Sequence, residues 1–241
     1  MQLYNGDCLE VMKNIADNSV DMILCDLPYG TTACKWDTVI PFEPLWEQYR
    51  RVIKPNGAIV LTASQPFTSA LVMSNPKMFK YELIWNKVLP TGFAIAKYQP
   101  MKQHESVLVF CRGKTTYNPQ LIPREKPRKY NRTHRSYNGS ENLQSHDGQD
   151  RVLDSYQPRS ILEFSNANQK DKLHPTQKPV ALFEYLIKTY TNQGELVLDN
   201  CMGSGTTGVA CQHLNRNFIG IELDENYFNI AKNRIENAHS E

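Results

Sequence analysis

Apolar residues along the chain fall into short, nearly continuous runs that are separated by polar segments. Such runs are typical of parallel strands buried on both faces of a sheet. The six clear runs and a weaker seventh at the start of the chain are "VDMILCD" (20–26), "GAIVLTAS" (57–64), "YELIWNK" (81–87), "SVLVFCR" (106–112), "ELVLDN" (195–200), "FIGIELD" (218–224) and "MQLYN" (1–5).

Segments with helical spacing lie between several of these strands. They are "CLEVMKNIA" (8–16), "PLWEQYRRVI" (44–53), "PVALFEYLIKTY" (179–190), "TTGVACQHL" (206–214) and "ENYFNIAKNRIENA" (225–238). Strands that alternate with helices predict an α/β fold with a doubly wound, mostly parallel sheet of seven strands. The chain has 241 residues, enough for one such domain with an embedded subdomain.

Residues 112–172 interrupt this pattern. Residues 112–173 contain 12 Lys and Arg against 7 Asp and Glu, although the whole chain has a formal net charge of only +2. Composition allows two interpretations of this segment: a solvated or disordered loop, or a basic surface with interleaved tyrosines that meets phosphates and bases. The sequence thus divides into residues 1–111, an insertion at 112–172, and residues 173–241.

The remaining composition excludes several classes of protein. No apolar run approaches the ~20 residues needed to cross a bilayer. The first ten residues, "MQLYNGDCLE", have neither the basic flank nor the apolar stretch of a signal peptide. The six cysteines show no C-x-x-C pairing. We therefore expect reduced thiols in a cytoplasmic protein and neither a zinc site nor a disulfide framework.

A glycine-rich loop follows the strand at 195–200. Gly203, Gly205 and Gly208 match G-x-G-x-x-G between a predicted strand and a predicted helix, and Glu222 ends the next strand. This arrangement predicts a nucleotide-binding unit. The glycines allow close backbone approach, the helix N-terminus binds an anion, and the acid binds ribose hydroxyls.

The charge beside this loop favours one ligand over another. Asp199 closes the strand directly before the loop, where a carboxylate would repel the pyrophosphate of NAD. S-adenosylmethionine (SAM) has an ammonium group for Asp199, a carboxylate for the helix N-terminus and a ribose for Glu222, and it has no phosphates. The sequence therefore favours SAM, and an NAD-dependent oxidoreductase is the disfavoured alternative.

The segment "CDLPYG" (25–30) places Asp26 and Tyr29 at the end of a predicted strand, where a simple turn would need neither. Together with the glycine loop, this segment resembles the SAM-dependent DNA amino-methyltransferases, which methylate adenine N6 or cytosine N4. The Asp-x-Pro-Tyr segment comes first, the basic insertion second and the glycine loop last. That order, together with "LHPTQKP" (173–179), resembles the beta class of the family, a circular permutation of the usual fold.

The resemblance implies a clamp for a target base that has been flipped out of the duplex. Asp26 and the Leu27 carbonyl would accept hydrogen bonds from the amino group, Pro28 would fix the corner, and Tyr29 would stack on the base. The family usually has proline or a similar residue where this chain has Leu27, so one rigidifying ring is absent. Asp rather than Ser at the first position favours adenine.

The resemblance also implies a set of SAM-binding residues: Asp7, Cys8, Thr176, Gln177, Lys178, Asp199, Cys201, Gly203, Ser204, Gly205, Thr206 and Glu222. Two alternatives stay open. Asp7 could be a plain N-cap of the helix that follows it. The segment "HPTQKP" could be only a helix N-terminus, with Thr176 capping and Pro179 in the first turn.

For the basic insertion, the resemblance favours contact with double-stranded DNA. The candidate phosphate ligands are Arg124, Lys126, Arg128, Lys129, Arg132 and Arg135. The segment "TTACKWD" (31–37) fits a lid over the target base, with Trp36 either its anchor or a core aromatic residue. For the pair His104 and Glu105 we expect a structural role, since the chemistry needs no metal.

We therefore expect a SAM-dependent DNA methyltransferase that acts on adenine N6 within a short specific sequence. The alternatives are cytosine N4 methylation, methylation of an amino or amide group in RNA or protein, and a catalytically silent SAM- or DNA-binding module. The intact Asp26 and Tyr29 argue against the last of these. The sequence leaves open the recognition sequence, the choice between monomer and homodimer, and the presence of a companion restriction endonuclease.

Overall fold

The computed structural model of the chain describes residues 1–30, 37–130, 151–166 and 177–238. The chain forms two compact units, one made of Met1–Asn118 with Ser160–Glu241 and the other of Pro119–Arg159. The smaller unit lies within the predicted insertion at 112–172. The assignment of separate functions to the three predicted segments stays a prediction.

The strands confirm the predicted fold class. In chain order they are β1 (Gln2–Asn5), β2 (Val20–Asp26), β3 (Ile53–Ala63), β4 (Phe79–Thr91), β5 (Lys102–Phe110), β6 (Ile122–Tyr130), β7 (Arg151–Tyr156), β8 (Ile161–Glu163), β9 (Leu196–Asp199) and β10 (Asn217–Glu222). Eight of them form one sheet in the order β1-β10-β9-β2-β3-β5-β4-β8. Only the β3–β5 and β4–β5 pairs of this sheet are antiparallel.

All seven predicted strands belong to this sheet, and β8 is an eighth strand that pairs with β4 at the sheet edge. Three residues, "ILE", are too few to show a hydrophobic period, which is why the sequence did not reveal β8. Its Leu162 is nevertheless buried in the core.

Six α-helices are described: α1 (Cys8–Met12), α2 (Phe42–Val52), α3 (Phe67–Ser74), α4 (Val180–Tyr190), α5 (Thr206–His213) and α6 (Glu225–Glu236). Five were predicted, and α3 was missed. Its sequence "FTSALVMS" has apolar residues on most of its circumference, so it lacks the one-sided pattern that marks a surface helix. None of the described helices is both long and apolar enough to cross a membrane.

The core lies on both faces of the sheet. On β2, Ile23 and Cys25 belong to one buried cluster, which includes residues of α1, α2 and α3. Met22 and Leu24 belong to a second cluster, which includes residues of α4, α5 and α6. Successive side chains of a strand point to opposite faces, so a strand covered on both sides reads as one continuous apolar run.

Candidate active site

Four neighbouring strands bring polar residues to one edge of the sheet. The strands β10, β9, β2 and β3 lie side by side and are parallel, so their carboxyl ends lie at the same edge. Glu222, Asp199 and Asp26 are the last residues of the first three, and Thr62 of β3 is in register with Asp26. The connections leave β9 and β2 in opposite directions, which makes this edge the expected position of a ligand crevice.

A cavity of about 660 Å³ opens at this edge. It brings together nearly all the predicted site residues that the structure describes: Asp26, Leu27, Pro28 and Tyr29 from the clamp segment, and Asp7, Cys8, Gln177, Lys178, Asp199, Cys201, Gly203, Ser204, Thr206 and Glu222 from the SAM set. The volume is within the range of about 300–1,000 Å³ that is usual for small-molecule sites.

Gly205 is placed behind the cavity wall and not in it. It precedes α5 with φ +80°, a conformation that favours glycine, and a Cβ there would lie 3.0 Å from the Cβ of Ala231 in α6. Its role in this geometry is to let α5 begin close against α6.

The carboxylate of Asp26 is fully engaged within the protein. The Tyr29 hydroxyl donates to its Oδ1 at 2.6 Å, and the Thr62 hydroxyl donates to the same oxygen. Lys178 Nζ donates to Oδ2 at 2.6 Å. Both carboxylate oxygens therefore face donors, and the side chain is held in one orientation.

Lys178 lies between two carboxylates. Its Nζ is 2.6 Å from Asp26 Oδ2 and 3.5 Å from Glu105 Oε2, and Lys87 Nζ is 3.3 Å from the other Glu105 oxygen. Burial by itself lowers the pKa of Lys178, but the charges of Asp26 and Glu105 outweigh burial and raise it above the usual lysine value. Lys178 is therefore a permanent cation at the cavity wall.

The Tyr29 ring is held in place by an aromatic neighbour. The ring stacks on Phe67 with a centroid distance of 5.2 Å and an interplanar angle of 26°. Burial, and after it the negative charge of Asp26, raises the pKa of the Tyr29 phenol well above its usual value. The hydroxyl therefore stays protonated and acts as a donor to Asp26. Next to it, the Leu27 side chain packs in the core.

The glycine loop contacts an acid at the end of β10. Glu222 accepts hydrogen bonds from the backbone N–H of Gly203 at 2.8 Å and of Asp224 at 2.9 Å. Burial raises its pKa, and these two hydrogen bonds counteract part of that rise. The loop thus fixes the carboxylate at the cavity wall.

Asp199 is buried beneath the same loop. It accepts hydrogen bonds from the Cys201 backbone N–H at 3.1 Å and from the Thr207 hydroxyl. Burial raises its pKa to about 7, even though these hydrogen bonds favour the charged form. A ligand cation beside Asp199 would therefore favour its ionisation.

Two other predicted SAM residues have partners inside the protein. Asp7 accepts a hydrogen bond from the Leu9 N–H at 2.8 Å and is the N-cap of α1. The structure therefore contains the capping contact that was one of the two alternatives for Asp7. Asp7 also lines the cavity, and a role as ligand stays a prediction. Gln177 accepts from the Ser204 hydroxyl at 3.1 Å, and Arg234 donates to the Ser204 carbonyl at 2.6 Å.

The comparison with known proteins decides the family. Residues 20–233 match the sequence model of the DNA methylase family, which comprises the N6 and N4 enzymes. The chain belongs to this family. It is a DNA amino-methyltransferase of the adenine-N6 and cytosine-N4 group, and its methyl donor is SAM.

Relatives of this methylase match over almost its whole length. It is 30% identical to the type II methyltransferase M.HpaI of Haemophilus parainfluenzae, over 98% of this chain and 74% of the relative. It is similar to the crystal structure of the M1.HpyAVI–SAM complex with a TM-score of 0.64 and 30% identity, over 97% of this chain and 98% of the other. PvuII DNA methyltransferase (cytosine-N4-specific) has a TM-score of 0.68 at 16% identity, over 96% and 85% of the two chains, which shows a common fold.

The cavity of the methylase suits SAM chemically. Asp199 offers a buried carboxylate for the ammonium group, and Glu222 offers one for the ribose hydroxyls. The residues between them, from Cys201 to Ser204, line the cavity without any charged side chain. Among the residues that the structure describes, no group of three or more metal-binding side chains could hold a metal ion.

Sequence reasoning missed most of the contacts around Asp26. Thr62 is the last residue but one of β3, and its register with Asp26 could be inferred only once β2 and β3 were known to be neighbours. The sequence predicts a structural role for Glu105. It does not reveal the contact of Glu105 with Lys178, which lies 73 positions further along the chain. Lys178 itself was predicted to contact SAM, and its ion pair with Asp26 was not foreseen.

Several predicted residues lie outside the described part of the methylase. These are Thr176, the lid segment up to Trp36, and Arg132 and Arg135 of the insertion. The other four basic residues are on β6, where Lys126, Arg128 and Lys129 are exposed. Arg124 is half-buried, and its guanidinium lies 3.8 Å from the ring centroid of Tyr156 on β7.

Proposed function

We propose that this methylase transfers the methyl group of SAM to adenine N6 at a specific site in double-stranded DNA. The observation that supports this most strongly is the position of Asp26. Its carboxylate lies in the wall of the same cavity as Asp199 and Glu222, so a base held by Asp26 would face the SAM pocket. Asp rather than Ser at the start of the clamp favours adenine.

In this proposal the clamp acts by hydrogen bonding and positioning. SAM, when bound, supplies an electrophilic methyl group. Asp26 and the Leu27 carbonyl accept the two N–H groups of the target, which reduces delocalisation of the nitrogen lone pair into the ring. The nitrogen loses one proton on methylation, and the Asp26 carboxylate that accepts this N–H would take it up. Tyr29 would stack on the base; Phe67 packs on its ring, and Lys178 Nζ lies 5.7 Å from the ring centroid.

Lys178 takes part in this scheme because its ammonium group is paired with Asp26 Oδ2 before a base binds. Glu105 Oε2 accepts no hydrogen bond from the residues that the structure describes, and it lies 3.5 Å from Lys178 Nζ. A small movement of the ammonium group towards Glu105 would free Asp26 Oδ2 for the amino group of the base. Lys178 and Glu105 are positioning residues in this scheme.

The target base has to leave the duplex, because its amino group cannot reach the cavity from within a base pair. We assign the phosphate contacts to the exposed Lys126, Arg128 and Lys129 of β6. The type II names of relatives such as M.HpaI support a place in restriction and modification. A cytoplasmic location stays a prediction. A companion endonuclease and a homodimer stay predictions.

A methyl-transfer assay tests the proposal. Protein is incubated with labelled SAM and duplex DNA of mixed sequence, and the DNA is digested to nucleosides for mass spectrometry. We expect label in N6-methyladenosine. Label in N4-methylcytidine would show that the base assignment is wrong, and an unlabelled digest from protein that binds SAM would contradict a DNA substrate.

Asp26→Asn then tests the clamp. The amide keeps the shape of the carboxylate but loses its charge and one of its two acceptor oxygens, so methyl transfer should fall by at least about a hundredfold. SAM binding, measured by calorimetry, should stay within about threefold because Asp26 is not among the predicted SAM ligands. An Asp26→Asn enzyme with normal turnover would end the clamp hypothesis.

Cytosine N4 methylation is the second candidate, because the same clamp serves either amino group. The similarity of fold to the cytosine-N4-specific PvuII enzyme is compatible with it. The nucleoside digest separates the two in one experiment.

A further inference from the structure

A hairpin adjoins the cavity. Strands β4 and β5 pair as far as Thr91 and Lys102, and both of these residues line the cavity. Residues 92–101, the hairpin tip, connect these two residues and do not line the cavity themselves. Lys87 donates to the Thr91 hydroxyl at 3.2 Å, and Thr91 donates to the Lys102 carbonyl at 3.2 Å, so the base of the hairpin is tied together.

The hairpin tip exposes large apolar side chains. Phe93 is 84% exposed and Tyr98 is 78% exposed, and Ile95 between them is exposed as well. Every residue from 91 to 100 is exposed, so the tip takes no part in the core. Exposed clusters of large apolar residues of this kind are characteristic of binding surfaces.

The tip has a defined shape in spite of this exposure. Gly92 turns the chain with φ +93°, and a 3₁₀ turn follows at Phe93–Ile95. The backbone N–H of Tyr98 donates to the Ile95 carbonyl at 2.9 Å, and that of Ala96 donates to the Phe93 carbonyl at 3.1 Å. The aromatic side chains are therefore presented on a hydrogen-bonded turn.

The charge of this segment suits a polyanion. Residues 92–103 include the exposed Lys97 and Lys102 and contain neither aspartate nor glutamate. Lys97 Nζ lies 4.9 Å from the ring centroid of Tyr98, so a cation and an aromatic face are presented together. Phosphates attract the lysines, and the faces of bases stack on the rings.

We propose that the hairpin tip enters the duplex at the target site and that Phe93 occupies the space in the base stack from which the target base has moved. This inference rests on the proposed function, because it needs a DNA duplex and a flipped base. Apolar side chains that enter a base stack offset the cost of unstacking. The tip joins Thr91 and Lys102 of the cavity wall, so a duplex that presents its target base to the cavity would lie against the tip.

The test uses the methylase and short duplexes built around a sequence that the wild-type protein methylates. Phe93→Ala removes the ring, Phe93→Trp keeps an aromatic ring, and Met73→Ala removes a 72% exposed apolar side chain on α3 that does not line the cavity. Each variant is assayed on a fully paired duplex and on one with a mismatch at the target base, where flipping costs less.

For Phe93→Ala we expect kcat/KM to fall about tenfold or more on the paired duplex and by less than about threefold on the mismatched duplex. Phe93→Trp and Met73→Ala should behave as wild type on both. With 2-aminopurine at the target position, Phe93→Ala should also show a smaller rise in fluorescence on binding, since fewer bases are unstacked.

Four results would overturn the inference. Equal losses on paired and mismatched duplexes would show that Phe93 does not assist flipping. A change of sedimentation coefficient from dimer to monomer in Phe93→Ala would make the tip an interface between copies of this chain. A wild-type protein that methylates no DNA would remove the proposed function as well, whereas normal DNA methylation by Phe93→Ala would overturn the inference alone.

Discussion

Lys178 and Asp26 show what a single ion pair can control. Lys178 Nζ is the one cation within hydrogen-bonding distance of the Asp26 carboxylate among the described residues, and it also contacts Glu105. Without it, the Asp26 carboxylate would keep only the Tyr29 and Thr62 hydroxyls as donors among the described residues. Removal of one partner of a partly buried ion pair leaves an uncompensated charge. The orientation of the clamp carboxylate and its charge balance therefore depend on Lys178.

For Lys178→Met we expect methyl transfer to fall at least about tenfold, because the Asp26 carboxylate loses its charged hydrogen-bond donor and with it a fixed orientation. The measurement is kcat/KM on duplex DNA that the wild-type protein methylates. Lys54→Met is the matched control, since Lys54 Nζ pairs with Asp21 at the same distance of 2.6 Å. An equal loss in both variants would mean that removal of a lysine, not its place beside Asp26, causes the effect.

Asp199 gives a second prediction, for SAM binding. Its pKa of about 7 means that the carboxyl is mostly neutral at pH 6 and mostly ionised at pH 7.5. The ligand ammonium, with an ordinary α-amino pKa of about 7.7–8.0, is largely charged over this range. SAM affinity should therefore rise roughly fivefold from pH 6 to pH 7.5. Calorimetry on wild type and Asp199→Asn checks this, and the asparagine variant should bind weakly with little pH dependence.

At the scale of elements, the packing of α5 gives a structural role to Gly208, the last glycine of the nucleotide-binding pattern. A Cβ on Gly208 would lie 2.3 Å from Ile235 Cδ1 of α6 and 2.8 Å from Phe218 Cε1 of β10. The last glycine of the pattern thus serves contact between elements, whereas Gly203 donates its N–H to Glu222. One sequence pattern combines a packing role with a binding role.

Gly208→Ala should lower the free energy of unfolding. Overpacking costs about 1–3 kcal/mol, and the better helix propensity of alanine returns up to about 1 kcal/mol of it. Urea denaturation measures the difference. Gly113→Ala is the control, because the nearest atom to a Cβ there is 4.0 Å away and φ is not left-handed. Equal stabilities of the two variants would argue against tight α5–α6 packing.

The strands and helices also show how much of the fold can be predicted from the sequence. Seven strands and five helices followed from hydrophobic period, because a buried strand and an amphipathic helix leave direct traces in the order of residues. The strand β8 and the helix α3 leave no such trace. Motifs placed Asp26, Asp199 and Glu222 at strand ends, whereas the contacts of Lys178 with Asp26 and Glu105 depend on strand order, which hydrophobic period does not encode.

At the scale of the whole molecule, basic charge is concentrated in the smaller unit. Strands β6 and β7 form an antiparallel pair, and β6 carries Lys126, Arg128 and Lys129 as exposed side chains. If these residues meet phosphates, DNA binding releases counterions and weakens steeply as salt is raised.

Replacement of Lys126, Arg128 and Lys129 by glutamine should reduce the slope of log K against log salt by about 0.9 for each lost phosphate contact. Fluorescence anisotropy with labelled duplex at several salt concentrations measures the slope. The control replaces three exposed lysines of the larger unit, Lys13, Lys77 and Lys232, and so has the same change in net charge. A slope that falls equally in both triple variants would assign the effect to overall charge.

The strands that are synthesised last lie between strands that are synthesised first. In the sheet, β9 and β10 separate β1 from β2. A nascent chain on the ribosome therefore exposes one edge of β1 and one edge of β2 until β9 and β10 emerge, and such open edges pair readily with other chains. Glu222 is the last residue of β10 and lines the cavity, so the cavity gains this part of its wall only after β10 has been made.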